Sequence, residues 1–131
     1  MKLQLLCAGH KPPPWAEAAA SEYLKRLPKY YQFSEHRITP NTPSTEAKAF
    51  LEKIPDKAYV ILLDIPGKLL TTPELADHLG KWEQLGKDLM FIIGGANGVD
   101  PLLQARANFS WSLSPLTFPH PLVRVLWSEQ L

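Results

Sequence analysis

Short stretches rich in apolar residues recur along the chain and are separated by Gly, Pro and polar turns, which predicts alternating strands and helices. Two of these stretches, Ala58 to Leu63 and Leu89 to Ile93, are apolar on both faces, as expected for the covered centre of a parallel sheet. The predicted strands are Lys2 to Ala8, Gln32 to Ile38, Ala58 to Leu63, Leu89 to Ile93 and Phe109 to Leu113.

Apolar residues at helical spacing fill the segments between these strands. Thr42, Thr72 and Asp100 each precede a proline, and a capping side chain followed by proline at the first helical position is a helix start signal. The predicted helices are Trp15 to Leu27, Pro43 to Ile54, Pro73 to Leu85, Pro101 to Ala107 and Pro121 to Leu131. Strands that alternate with helices predict one α/β domain over residues 1–131, with a mainly parallel sheet flanked by helices.

Composition narrows the class of protein. The 131 residues are 45% hydrophobic and 21% charged, which is typical of a soluble globular domain, and the single Cys7 favours the reducing cytoplasm. We expect no membrane span and no metal site, because long apolar runs and metal-ligand spacing of His and Cys are not evident. A formal charge of +1 gives no general attraction for nucleic acids.

Three predicted loops follow strand ends and carry unusual chemistry. They are Leu63 to Lys68, Gly94 to Gly98 and Ser114 to Pro121. Ligands of open α/β sheets bind outside the carboxyl ends of the strands, so these loops are the candidate site. Glycine in the second loop could let a ligand approach the backbone, or the loop could be only a tight turn. It matches neither the G-x-G-x-x-G nor the P-loop pattern, so a dinucleotide or nucleoside triphosphate site is poorly supported. The proline-rich third loop could clamp an adenine by main-chain hydrogen bonds, with Leu116 and Phe118 as apolar walls.

Two residues near the last helix are candidates for chemistry. His120 and Arg124 are four apart and would share a helix face. Arg124 stands in an otherwise apolar stretch, which a salt bridge, a helix–helix contact or an RNA contact could each explain. His120 lies between prolines, so it is either a structural turn residue or a weak candidate for a catalytic group. Asp64 could cap a helix or pair with Lys68.

Four segments in this order resemble the family of ribosomal RNA large subunit methyltransferase H, a SPOUT-class family of pseudouridine N3-methyltransferases. They are Met1 to Leu5, Leu63 to Lys68 (LDIPGK), Phe91 to Gly98 (FIIGGANG), and Ser110 to Ser114 together with Pro119 to Leu126 (PHPLVRVL). The resemblance spans the whole chain. It implies a SPOUT-type sheet with a C-terminal trefoil knot, an exception to the rule that chains are unknotted.

The resemblance also implies a reaction and its partners: methyl transfer from S-adenosylmethionine to N3 of a pseudouridine in bacterial 23S ribosomal RNA, on the assembled ribosome, by a homodimer. The implied cofactor contacts are Leu63, Gly95, Ser114, Pro115, Leu116, Thr117 and Phe118. Chains of this family continue past the position of Leu131 with a polar tail that helps to bind RNA. We therefore expect this chain to bind the cofactor and to methylate ribosomes poorly.

Two other functions compete with this one. A module that binds RNA or ribosomes without turnover would keep the same fold. A nucleotide-dependent oxidoreductase is disfavoured because the G-x-G-x-x-G pattern of dinucleotide-binding sites is absent from the sequence.

Overall fold

The computed structural model describes residues 2–39, 41–95 and 98–131. Its strands are β1 (Lys2–Ala8), β2 (Gln32–Ile38), β3 (Tyr59–Leu69), β4 (Leu89–Ile93) and β5 (Phe109–Ser112). Its helices are α1 (Pro14–Leu24), α2 (Pro43–Lys53), α3 (Thr72–Gln84), α4 (Pro101–Arg106) and α5 (His120–Gln130).

The strands form one sheet in the order β2-β1-β4-β3-β5, and every neighbouring pair is parallel. This confirms the α/β class and the parallel sheet. The carboxyl ends of the strands consequently lie along one edge, where ligands of such sheets bind. The trefoil knot stays a prediction, since strand order and pairing do not define how loops thread.

A hydrophobic core covers each face of the sheet. Odd-numbered residues of β1 and β4, such as Leu5 and Phe91, pack on one face with Trp82 of α3 and Trp127 of α5. Even-numbered residues pack on the other face with Phe50 of α2 and Leu103 of α4. Successive side chains of a strand point to opposite faces, so a central strand covered on both sides must be apolar throughout.

The largest correction to the predicted elements concerns β3, which continues to Leu69 instead of ending at Leu63. Both Leu63 and Lys68 pair with Trp111 of β5, so the residues between them bulge out of the strand. Gly67 is needed there because a Cβ atom would lie 2.7 Å from the backbone carbon of Ser110. The prediction of a loop at Leu63 to Lys68 is therefore wrong: residues 64–67 are a bulge within a strand.

The predicted helix starts are largely correct. The Thr42 side chain caps α2 by accepting a hydrogen bond from the N–H of Thr45. The Asp100 side chain caps α4 by accepting one from the N–H of Leu102. For α3 the cap is Thr71 and not the predicted Thr72, because Thr71 forms a reciprocal capping box with Glu74.

The first helix ends earlier than predicted, at Leu24 instead of Leu27. The N–H groups of Arg26 and Leu27 bond three residues back, to Tyr23 and Leu24, at 3.0 and 3.2 Å. Such bonds tighten the last turn of a helix. Among the described residues, no helix combines the length and the apolar character needed to cross a membrane.

Candidate functional site

The carboxyl ends of β4, β3 and β5, which are neighbours in the sheet, surround a cleft that we term the first cleft. Three segments provide its described lining. They are residues 63–65, residues 93–95 with 98–99, and residues 113–114 with 116–118. His120 and Val123 of α5 close it. The three segments singled out in the sequence therefore meet at one place.

Six of the seven cofactor positions implied by the resemblance line the first cleft; Pro115 is exposed and is not among the described lining residues. Ala96 and Asn97, which belong to the predicted second loop, lie outside the described residues. The cleft measures about 160 Å³, whereas sites that enclose a whole drug-sized ligand span roughly 300–1,000 Å³. A ligand of that size would extend beyond the first cleft.

The glycines of the second segment are held by a buried carboxylate. Gly95 donates its N–H to Oε1 of Glu46 at 3.2 Å, and its carbonyl accepts the N–H of Gly98 at 3.3 Å. A Cβ atom on Gly95 would overlap both carboxylate oxygens of Glu46. The sequence suggested that glycine stands here to let a ligand approach the backbone. The structure gives a different reason, which is the close approach of Glu46.

Serine side chains organise the third segment. Ser112 donates its hydroxyl to the carbonyl of Ser114 at 3.0 Å, and the hydroxyl of Ser114 accepts the N–H of Leu116 at 3.0 Å. These bonds make a local turn at the end of β5. Leu116 lines the cleft although 67% of its surface is exposed, so an apolar side chain is held at the mouth of the cleft.

Within the described part of the chain, Asp64 neither caps a helix nor pairs with Lys68, which are the two roles that the sequence suggested for it. It accepts a hydrogen bond from Nε2 of Gln104 at 3.0 Å. This bond ties the bulge of β3 to helix α4, and the carboxylate of Asp64 remains part of the cleft lining.

A second cleft of about 240 Å³ lies beside the first at the same edge of the sheet. One side is formed by residues 7–12, which are the last two residues of β1 and the four that follow, and Arg37 of β2 also lines the cleft. Ile93 and His120 line both clefts. His10, Lys11 and Arg37 give the second cleft a basic character that the sequence analysis did not anticipate.

Arg124 of α5 is buried at the back of the second cleft, with 6% of its side chain exposed. Its Nε and Nη2 donate to the two carboxylate oxygens of Glu35 at 2.6 and 2.8 Å, and its Nη1 lies 3.4 Å from Glu17. Burial alone lowers the pKa of Arg124, but the hydrogen bonds and charge of Glu35 outweigh it and raise the pKa above its ordinary value. Of the alternatives for Arg124, the structure supports the salt bridge.

Arg37 extends this arrangement into a network of alternating charges. Its Nη2 lies 3.6 Å from Glu17 and 3.7 Å from Glu35. Helix α1, strand β2 and helix α5 are thus joined by two arginines and two glutamates. Paired charges of this kind offset the cost of burying each ion.

Cys7 and His120 contact the same region in different ways. Cys7 is buried beside the second cleft, and its pKa is raised to about 12, first by burial and then by the charge of Glu35. A ring nitrogen of His120, Nδ1, lies 3.4 Å from the carbonyl oxygen of Ala8. Because a carbonyl oxygen can only accept, a hydrogen bond in this contact is donated by Nδ1, which leaves Nε2 as the ring nitrogen available to other partners.

The sequence analysis missed Glu46, Glu35 and Glu17. For Glu46 a signal was present: it precedes Phe50 by four residues, which places a carboxylate on the buried face of α2. For Glu35 and Glu17 no local pattern marks the pairing, since their partner Arg124 lies 89 and 107 residues away in the chain.

The comparison with known protein families decides the class. A family model described as "Predicted SPOUT methyltransferase" matches residues 1–131, which is the whole chain. The chain belongs to the SPOUT methyltransferase family. Membership makes the protein a methyltransferase and implies S-adenosylmethionine as the methyl donor.

The residues of the first cleft suit the cofactor that this SPOUT family implies. Leu63, Ile93 and Phe118 offer apolar walls, while Ser114 and Thr117 place hydroxyl groups at the rim. Apolar walls with a few polar groups are what a nucleoside ligand requires. Among the described residues, no group of three or more His, Cys, Asp and Glu side chains could hold a metal ion.

Proposed function

We propose that this SPOUT protein is an S-adenosylmethionine-dependent enzyme that methylates N3 of a pseudouridine in bacterial 23S ribosomal RNA, on the assembled ribosome and as a homodimer in the cytoplasm. The observation that carries the proposal is the meeting of the three strand-end segments in the first cleft. The choice of nucleotide rests on the sequence resemblance, which runs through Leu63 to Lys68 and Pro119 to Leu126.

In this proposal, S-adenosylmethionine bound in the first cleft supplies an electrophilic methyl group. The chain's own part is to hold donor and acceptor in line and to exclude water. Leu116 and Phe118 cover the apolar part of the donor. The segment from Ser114 to Thr117, which is already ordered by two serine bonds, offers main-chain groups to the adenine.

The acceptor base enters through the second cleft, whose lining meets that of the first cleft at Ile93 and His120. The imide nitrogen must lose its proton as the methyl group arrives. Nε2 of His120 is the candidate to accept that proton, because Nδ1 is directed at the carbonyl of Ala8. Lys11, at the same cleft, would attract the phosphates of the RNA.

Arg124 has a supporting role in this proposal. Its guanidinium is engaged by Glu35 and Glu17, so its charge is largely balanced within the chain. It fixes the start of α5, and with it His120, relative to β2. A direct contact of Arg124 with RNA would require the guanidinium to become accessible, because only 6% of its side chain is exposed.

The test uses ribosomes that lack the modification, incubated with the protein and S-adenosylmethionine carrying a labelled methyl group. We expect label in 23S ribosomal RNA, and N3-methylpseudouridine on analysis of the digested nucleosides. Label on another nucleotide would contradict the proposed target. Ribosome binding without any label would favour the non-catalytic RNA-binding module instead.

A matched pair of variants connects this activity with the first cleft. Leu116→Ser removes an apolar wall, and Leu102→Ser changes another exposed leucine, on α4, which is 62% exposed and outside the described lining. We expect Leu116→Ser to raise the Kd for S-adenosylmethionine about tenfold, equivalent to roughly 1.4 kcal/mol, and Leu102→Ser to leave it unchanged.

A further inference from the structure

A buried carboxylate with no cation beside it stands behind the first cleft. Glu46, in the first turn of α2, has only 3% of its surface exposed. Among the described residues, the recorded ion pairs do not include Glu46. A buried carboxylate must be compensated by hydrogen bonds, because removal from water disfavours its charge.

Two backbone N–H groups provide that compensation. Gly95 donates to Oε1 at 3.2 Å and Asn41 donates to Oε2 at 2.9 Å. The amino-terminal position in α2 adds the favourable end of the helix dipole. Each oxygen thus holds a different segment: the turn before α2 through Asn41, and the wall of the first cleft through Gly95.

Gly95 and Glu46 are shaped for each other. Any side chain on Gly95 would overlap the carboxylate, so glycine is the residue that permits this contact. The contact also commits the polar groups of Gly95, since its N–H is bound to Glu46 and its carbonyl to Gly98. The peptide before Gly95 therefore has a fixed orientation where it lines the cleft.

From this geometry we infer that Glu46 is a positioning residue for the cofactor: it anchors the Gly94–Gly95 wall of the first cleft from behind. The inference rests on the proposed function, because it assigns a task within the same cofactor site. Glu46 acts only through Gly95 and is not itself among the described lining residues.

The primary test is Glu46→Gln, which keeps the size of the side chain. A glutamine offers one oxygen and one NH₂ group, so it can accept from only one of the two N–H groups and meets the other donor with a donor. We expect the Kd and KM for S-adenosylmethionine to rise at least tenfold, with the KM for ribosomes within twofold. The control is Glu52→Gln, the same change on the exposed face of the same helix, which should alter neither constant.

A double variant separates the anchoring of Gly95 by the Glu46 hydrogen bond from the steric fit between the two residues. Gly95→Ala alone should destabilise the fold, because its Cβ atom meets the Glu46 carboxylate. In Glu46→Ala/Gly95→Ala that overlap is gone, so the urea midpoint should recover toward that of Glu46→Ala. The Kd for S-adenosylmethionine should nevertheless stay at least tenfold above wild type, because the anchor is missing. Recovery of the midpoint and of wild-type affinity together would overturn the inference.

The outcomes also separate this inference from the proposed function. If the wild-type chain binds no S-adenosylmethionine, the proposed function fails. If the wild type binds it and Glu46→Gln binds equally well, the function stands and the positioning role is overturned. Should Glu46→Gln not fold, Glu46→Asp, which keeps the charge on a side chain shorter by one methylene, is measured with the same readouts and thresholds.

Discussion

The fold changes the acid–base chemistry of Cys7. This residue lies on β1 beside the network of Arg37, Arg124, Glu17 and Glu35, and burial raises the pKa of its thiol from 9.0 to about 12. The folded state therefore binds the thiol proton more tightly than the unfolded state does. The resulting stabilisation is fully present below pH 9 and is lost as the pH rises from 9 toward 12.

This shift predicts a loss of stability in mild alkali. At pH 10 the unfolded thiol is mostly ionised while the buried one is not, so the free energy of unfolding should be about 1.4 kcal/mol lower than at pH 7 on account of Cys7. Urea unfolding of the wild type and of Cys7→Ala at the two pH values measures it. Between pH 7 and pH 10, the free energy of unfolding of Cys7→Ala should fall by about 1.4 kcal/mol less than that of the wild type. Equal falls in the two proteins would show that burial does not protect the thiol.

At the residue scale, the sequence predicted which residues line the site better than it predicted why those residue types are there. Leu63, Gly95 and Phe118 all line the first cleft, as expected from their places at strand ends. The reason for Gly95, however, is the carboxylate of Glu46, which comes from a helix 49 residues earlier in the chain. A substitution such as Gly95→Val would therefore disturb the fold as well as a ligand site, and it could not separate the two.

At the element scale, helix α5 is tied to the rest of the chain by charge as well as by packing. Trp127 anchors it in the core, and Arg124 joins it to β2 and α1. His120, at the start of the helix, lines both clefts. The position of α5 therefore determines where the candidate proton acceptor stands.

Arg124→Gln should be strongly destabilising for this reason. It leaves Glu35 with only the longer contact to Arg37, and breaking a buried pair from one side costs about 3 kcal/mol. Arg26→Gln, which breaks the exposed pair with Glu22, should cost less than about 1 kcal/mol. Chemical denaturation of both variants provides the comparison. Equal costs would mean that the Glu35 contact contributes no more than a surface pair.

The elements themselves were predictable because local signals specify them. Apolar runs predicted β1 and β4 to the residue, and the predicted bounds of the more polar β2 were also correct. Proline after a capping side chain marked the starts of α2 and α4. The extension of β3 to Leu69 was not predictable. It depends on β5 pairing twice with β3 around a bulge, and such pairing leaves no periodic pattern in residues 64–67.

At the scale of the whole molecule, the resemblance implies a homodimer but does not say which surface the two copies share. Within the apolar helix α5, Trp127 is fully buried in the chain's own core. Leu122, Val123, Val125 and Leu126 remain partly accessible. We expect the second copy to pack on these four side chains of α5.

Sedimentation equilibrium at micromolar concentration should therefore show a dimer of the 14.7 kDa chain. A specific interface buries about 800 Å² on each partner. Val125→Glu, which places a charge on this surface, should shift the equilibrium toward monomer. A monomer throughout the concentration range in the wild type would contradict the dimer.

The central claim is that three strand-end segments form one S-adenosylmethionine site, and amide chemical-shift mapping by NMR tests it most directly. Titration with S-adenosylmethionine should shift the amide signals of residues 63–65, 93–95, 98–99, 113–114 and 116–118. NAD at the same concentration should shift none of them. Shifts produced by NAD, or S-adenosylmethionine shifts confined to residues remote from these segments, would contradict the account.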